Sequence, residues 1–123
     1  HLSVFFMNCT RIMRKIIAVD FDGTLFATDY PDILRPIRKV IKWCRQRKRE
    51  GCCLILWTCR EGKALEEAVD ACRSVGLEFD YINQNAPEII ELHGGSDCRK
   101  IYADIYLDDH AIDANSIAYP LPF

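Results

Sequence analysis

The stretch Lys15-Ile16-Ile17-Ala18-Val19-Asp20-Phe21-Asp22-Gly23-Thr24-Leu25 constrains the chain most. Its apolar run is rich in β-branched residues and does not alternate, which predicts a strand over residues 15–20 buried on both faces. The run stops at an acid, a second acid follows two positions later, and a glycine comes next. Open α/β sheets place ligands beyond the carboxyl ends of their strands, where these two carboxylates fall. Gly23 allows a sharp turn out of the sheet.

The remaining chain repeats the alternation of strand and helix. Ala27 to Leu34 reads as a loop and Pro36 to Glu50 as a helix, with Ile37, Val40, Ile41 and Cys44 on its inner face. Proline suits the first helical turn, and Gly51 ends the helix. Cys52 to Trp57 is a second apolar strand that stops at Thr58, and Gly62 to Val75 a second helix. Phe79 to Ile82 is a short strand followed by Asn83-Gln84-Asn85, and Ala86 to Leu92 spans one or two helical turns. Ile105 to Leu107 is a fourth strand ending at Asp108-Asp109, and Ile117 to Tyr119 has the pattern of a weak strand. The expected fold is α/β: a three-layer α/β/α sandwich with a mostly parallel Rossmann-like sheet. Asp20 and Asp22, Thr58, and Asp108 and Asp109 then converge on one edge.

A chain of 123 residues fits one domain with a real core. Residues 13–123 read as that domain. Residues 1–12 read as an N-terminal extension, or as residues added ahead of a natural start at Met13. The net charge of −2 excludes a polyelectrolyte binder of the whole-chain kind. No run approaches the roughly 18 apolar residues of a membrane span. Seven cysteines are an odd number, with no C-x-x-C pair, and most lie in apolar runs. They read as buried thiols in a reducing cytoplasm rather than a disulfide framework or a zinc site.

A phosphate monoester repels an attacking carboxylate unless cations neutralise both. Clustered aspartates can hold Mg²⁺, a lysine such as Lys100 can add positive charge, and a threonine hydroxyl can donate to a phosphoryl oxygen. An aspartate nucleophile would form an acyl phosphate and split one hard step into two. These parts suit phosphoryl transfer by positioning and charge compensation.

Asp20-Phe21-Asp22-Gly23-Thr24, Thr58 after an apolar strand, Lys100, and Asp108-Asp109 after another apolar strand resemble, in order, the four motifs of the haloacid dehalogenase superfamily. Lys100 to Asp109 is similar to the end of its small capless phosphatases, and the resemblance spans about residues 13–115. It implies a phosphomonoesterase working through an aspartyl-phosphate. Asp20 would be the nucleophile and a Mg²⁺ ligand. Asp22 would be the general acid and then base, and would ligate through its backbone carbonyl. Thr58 and Lys100 would hold the phosphoryl oxygens. Asp108 would bind Mg²⁺ directly, and Asp109 through water or by orienting Lys100. Lys100 stands eight positions before Asp108, closer than in many relatives, so Arg99 or Arg60 is an alternative.

The family's caps are inserted after the first motif or between the threonine and lysine motifs. Here about 35 and about 40 residues separate them, and ordinary elements use up both gaps. An open site implies a bulky or macromolecular phosphorylated substrate, or a homo-oligomer whose partner supplies a lid. Helix capping by Thr58 and a surface role for Lys100 stay open. Arg60, Asn83 and Asn85 are candidate substrate contacts, against a solvated arginine and turn chemistry. His110 is a candidate proton relay, and Trp43 and Trp57 read as core or interface. The first helix carries a basic face from Arg35 to Arg49, most simply a solvated one, with nucleic acid the other reading. Two other activities compete: a phosphotransferase with the same first half-reaction, and a phospho-acceptor receiver-type signalling domain. A receiver pairs its acids on the first strand but carries its accepting aspartate alone after the third.

Overall fold

The computed structural model describes residues 13–118. A four-stranded sheet forms from β1 (Ile16–Val19), β4 (Cys53–Leu56), β5 (Tyr81–Ile82) and β6 (Ile105–Leu107), in the order β5-β4-β1-β6. Every pairing in it is parallel. Three helices connect it: α1 (Arg38–Arg49), α2 (Gly62–Ser74) and the short α3 (Pro87–Leu92). The architecture is a small α/β sandwich.

The strands β1 and β4 do not alternate because both of their faces are buried. Ile17, Val19, Leu54 and Leu56 meet Ile41 and Cys44 of α1 and Ala68 and Cys72 of α2. Ile16, Ala18, Cys53 and Ile55 meet Ile89 of α3 together with Ala86, Ile101 and Ala103. Trp43 packs at the margin of the first cluster and Trp57 at the margin of the second. The strands' opening ends share one device. Asp104 takes the Ile16 N–H on its carboxylate at 2.8 Å, and Asp80 takes the Leu54 N–H at 2.8 Å. Each aspartate also returns its own N–H to the same residue's carbonyl.

One stretch departs from expectation. Instead of a loop, Ala27 to Leu34 contribute to an antiparallel hairpin, β2 (Phe26–Asp29) with β3 (Asp32–Pro36), turning at Tyr30 and Pro31. Its turn lacks an Asn-Gly or Asp-Gly signature, and Thr28, Asp29, Asp32 and Arg35 interrupt its apolar residues without a regular alternation. Pro36 therefore closes a strand, and α1 begins only at Arg38. The tail also differs. A 3₁₀ turn covers Ala114–Ser116, Ile117 and Ala118 are not in a strand, and Tyr119 and residues 1–12 lie outside the described residues. Cys44, Cys53 and Cys72 are buried, and burial pushes the thiols of Cys44 and Cys72 up to about 12. Cys59 and Cys98 are exposed, against the expectation of buried thiols, because both stand in loops, Cys59 after β4 and Cys98 between α3 and β6. Among the described residues no helix is long and apolar enough to cross a membrane.

Candidate active site

The strand order places the site. From β1 the chain moves outward to β4 and β5, then returns to the other side of β1 as β6. The carboxyl ends of β1 and β6 therefore flank the point where the order reverses, the usual crevice of an open sheet. Asp20 follows β1 and Asp108 and Asp109 follow β6. The Asp20 N–H donates to the Leu107 carbonyl at 2.9 Å, which fixes the two strand ends side by side. One oxygen from each of Asp20, Asp108 and Asp109 lies within 4.8 Å of the others.

Thr24, quoted in the opening motif but given no role from sequence, ties this group together. It is buried, and its hydroxyl lies 3.2 Å from an oxygen of Asp20 and 3.2 Å from one of Asp109. It also accepts the Asp109 N–H at 3.0 Å. The Thr24 and Leu25 N–H groups donate to the Phe21 carbonyl, winding the chain tightly so that residue 24 faces back toward residue 20. Gly23 sits inside this turn at φ +80°, and a Cβ there would run into the Asp109 carboxylate. Only glycine meets both conditions.

The three carboxylates repel one another. Burial first, then the charge of Asp108 and a hydrogen bond with Asp109, push the Asp20 carboxyl up to about 6, with Thr24 opposing. Asp22 lies in a different environment, and its side chain is not part of the three-carboxylate group. The Arg60 guanidinium grips it, Nε to Oδ2 at 3.0 Å and Nη2 to Oδ1 at 2.8 Å. Burial would raise the Asp22 carboxyl, but hydrogen bonds from Arg60 and Thr28 and the guanidinium charge outweigh it and hold it below the usual range.

Arg60 is 1% exposed, which corrects both readings made from sequence, substrate contact and solvated arginine. It lies between the rings of Phe21 and Tyr30, 4.9 and 5.0 Å from their centres. Its remaining N–H groups donate to the carbonyls of Ala64 and Pro31. An arginine in sequence gives no sign of burial, and the ring of Tyr30 arrives only because the hairpin forms.

Thr58 ends its strand on the same edge. Its N–H donates to the Asn83 side chain at 2.8 Å, and its hydroxyl oxygen accepts the Arg60 N–H at 3.1 Å. Asn83, at φ +52°, thus positions Thr58. Asn85 is fully buried, with its amide bonded to Asp97 and the Tyr102 N–H, so no polar atom remains for a substrate. The Lys100 ammonium lies 5.5 Å from the centre of the Tyr106 ring on β6, and among the described residues it forms no ion pair. His110 is exposed, with Nε2 3.5 Å from Asp109.

No family model matches the chain, and no curated protein matches it significantly. Among solved structures it is similar to one described as the conserved protein coded by a locus of Bacteroides thetaiotaomicron. The two are 40% identical, with a TM-score of 0.70, over 81% of this chain and 79% of that one.

Proposed function

The chain belongs to the same family as this conserved Bacteroides thetaiotaomicron protein, and within that family we propose that it is a Mg²⁺-dependent phosphohydrolase, a haloacid-dehalogenase-like enzyme without a cap. The observation that carries the reading is the meeting of Asp20, Asp108 and Asp109 within 4.8 Å at the reversal point of the sheet. Their chemistry fits the metal. All three donors are carboxylate oxygens, which suit a hard divalent ion. Burial first, and then the charge of Asp108, raise the Asp20 carboxyl, and a bound cation would offset both. Once bound, Mg²⁺ would neutralise phosphoryl oxygens and let two anions approach.

In this reading a free oxygen of Asp20 attacks phosphorus as the bond to the leaving oxygen breaks, giving an acyl phosphate on Asp20. The leaving oxygen takes its proton from solvent, because Arg60 keeps Asp22 ionised and so without the proton that the general-acid role expected from sequence requires. Water then attacks that phosphorus and the carboxylate departs, releasing phosphate. Thr24 holds Asp20 in line. The Thr58 hydroxyl oxygen already accepts from Arg60, which leaves its proton for a phosphoryl oxygen. Lys100, on the approach to the strand that delivers Asp108, is the proposed charge partner. Asp22 is the proposed acceptor of the attacking water's proton; it is ionised, but its bonds to Arg60 lower its basicity, so the role requires that pairing to loosen.

Phosphate release from p-nitrophenyl phosphate, sugar phosphates and nucleotides tests the proposal. Activity should need Mg²⁺ and vanish with chelator. Asp20→Asn should lower it about a thousandfold or more. An Asp20→Asn protein as active as the parent would overturn the reading.

A further inference from the structure

Helix α1 raises a question that the acidic site does not answer. It holds seven of the chain's 16 Lys and Arg residues and none of its 18 Asp and Glu residues. Arg38, Lys42, Arg45 and Arg49 follow one another by four, three and four positions, so they form a row along one helix face. All four are exposed, and among the described residues none is in an ion pair.

The row weakens the helix that carries it. Like charges at these spacings repel, and Arg38 occupies the first turn, where a helix favours acids, with no acidic residue there to compensate. No side-chain cap offsets this cost. The row also borders a cavity of about 620 Å³ between α1 and the end of α2, with the apolar side chains of Ile41 and Val75 in its lining. That volume lies in the usual range of small-molecule sites.

We infer that this groove binds a short nucleic-acid segment, its phosphates against the four cations and its sugar and base body against Ile41 and Val75. The row covers about 16 Å of helix, and a strand of B-form geometry advances about 3.4 Å per nucleotide, so about five nucleotides fit. An acidic peptide would match the charges but not the repeated apolar body beside each one. Among the described residues no aromatic side chain lines the groove. Base stacking is therefore no part of the contact, and sequence should matter little.

The test is binding of short fluorescent single-stranded DNA to the full chain across a salt series. Four phosphate contacts predict a log–log salt slope of about −3. The double variant Lys42→Gln with Arg45→Gln should bind about tenfold or more weakly. It should fold normally because it relieves repulsion, and a thermal melt checks this. Removing the same charge off the groove, in Arg35→Gln with Lys39→Gln, should change binding little, and Asp20→Asn should bind as the parent does. Inorganic polyphosphate, which carries the charge without the apolar body, should bind through the same residues but more weakly. Equal loss in the two double variants would overturn the inference, as would polyglutamate or polyphosphate binding as tightly as DNA, or no binding at all.

Discussion

Asp20 and Asp22 are two residues apart and have opposite electrostatics, so they respond oppositely to pH. For Asp22 the folded carboxyl lies below its unfolded value, so its stabilisation is present above about pH 4 and is lost as acid protonates it. For Asp20 the folded value, about 6, exceeds the unfolded one. Between about pH 4 and 6 the unfolded chain has given up a proton that the folded one keeps, so the metal-free protein loses stability as pH rises through that window. Replacing Asp20 by Asn should stabilise the metal-free protein at pH 7 by about 1–2 kcal/mol, after discounting for its partial exposure. The gain should vanish below about pH 4. Urea titrations at several pH values check this, and a variant less stable than the parent at pH 7 would sink it. Adding Mg²⁺ should restore the advantage to the parent.

The Asp22–Arg60 pair is the costliest contact to break. The Arg60 side chain is 1% exposed and that of Asp22 31%, so losing Asp22 strands a buried guanidinium, while losing Arg60 leaves a partly solvated carboxylate and empties the slot between the rings of Phe21 and Tyr30. Arg60→Ala should lower stability by about 3–5 kcal/mol, and Arg60→Lys should recover little of it, since lysine lacks the fork and the flat face. Asp22→Ala combined with Arg60→Ala should cost less than the sum of the two. Strict additivity in a denaturation cycle would show that the pair is not coupled.

At the level of elements, local pattern exposed what depended on burial along one segment. β1, β4 and β6 stand out in sequence because each is a run that ends at a polar residue, and α1 and α2 because their buried positions recur at helical spacing. The acids at the ends of β1 and β6 could be placed on one edge from alternation alone. The hairpin could not, because a two-stranded ribbon is marginal by itself and Arg60, from beyond β4, packs against Tyr30 and donates to the Pro31 carbonyl at its tip. Thr24 was hidden for a similar reason: its partner Asp109 is 85 positions away. The turn between β1 and the hairpin makes the dependence testable. Gly23→Ala would hold a side chain at φ +80°, a strain of about 1–2 kcal/mol, and would force Asp109 aside. We expect the fold to survive and Mg²⁺ affinity, read by calorimetry, to fall about tenfold or more, as for other groups that orient ligands. Unchanged affinity would mean that Asp109 does not hold the ion.

Across the whole molecule, the proposed ion would join the first strand of the sheet to the last. β6 has only three residues, lies at the sheet edge, and leaves Ile105 43% and Tyr106 39% exposed. Its attachment rests mainly on ladder bonds to β1 and on Tyr106, whose hydroxyl donates to the Ile101 carbonyl and accepts the Ala103 N–H. Such a strand should open locally, well below the cost of global unfolding. Without a cation, Asp20 and Asp108 add repulsion across that seam. Mg²⁺ should reverse its sign, because an ion bound only when β1 and β6 are docked stabilises the docked form by mass action. Hydrogen exchange should therefore slow selectively in residues 104–109 when Mg²⁺ is added, at pH 7 and constant ionic strength. Amides of β4 and β5, whose carboxyl ends supply no acid to the group, should change little. Asp108→Asn should abolish the Mg²⁺ effect while leaving the metal-free exchange of β6 slower than in the parent, since the repulsion is gone. If Mg²⁺ protected the sheet uniformly, or protected β6 equally in Asp108→Asn, the cation would not be bridging these two strands.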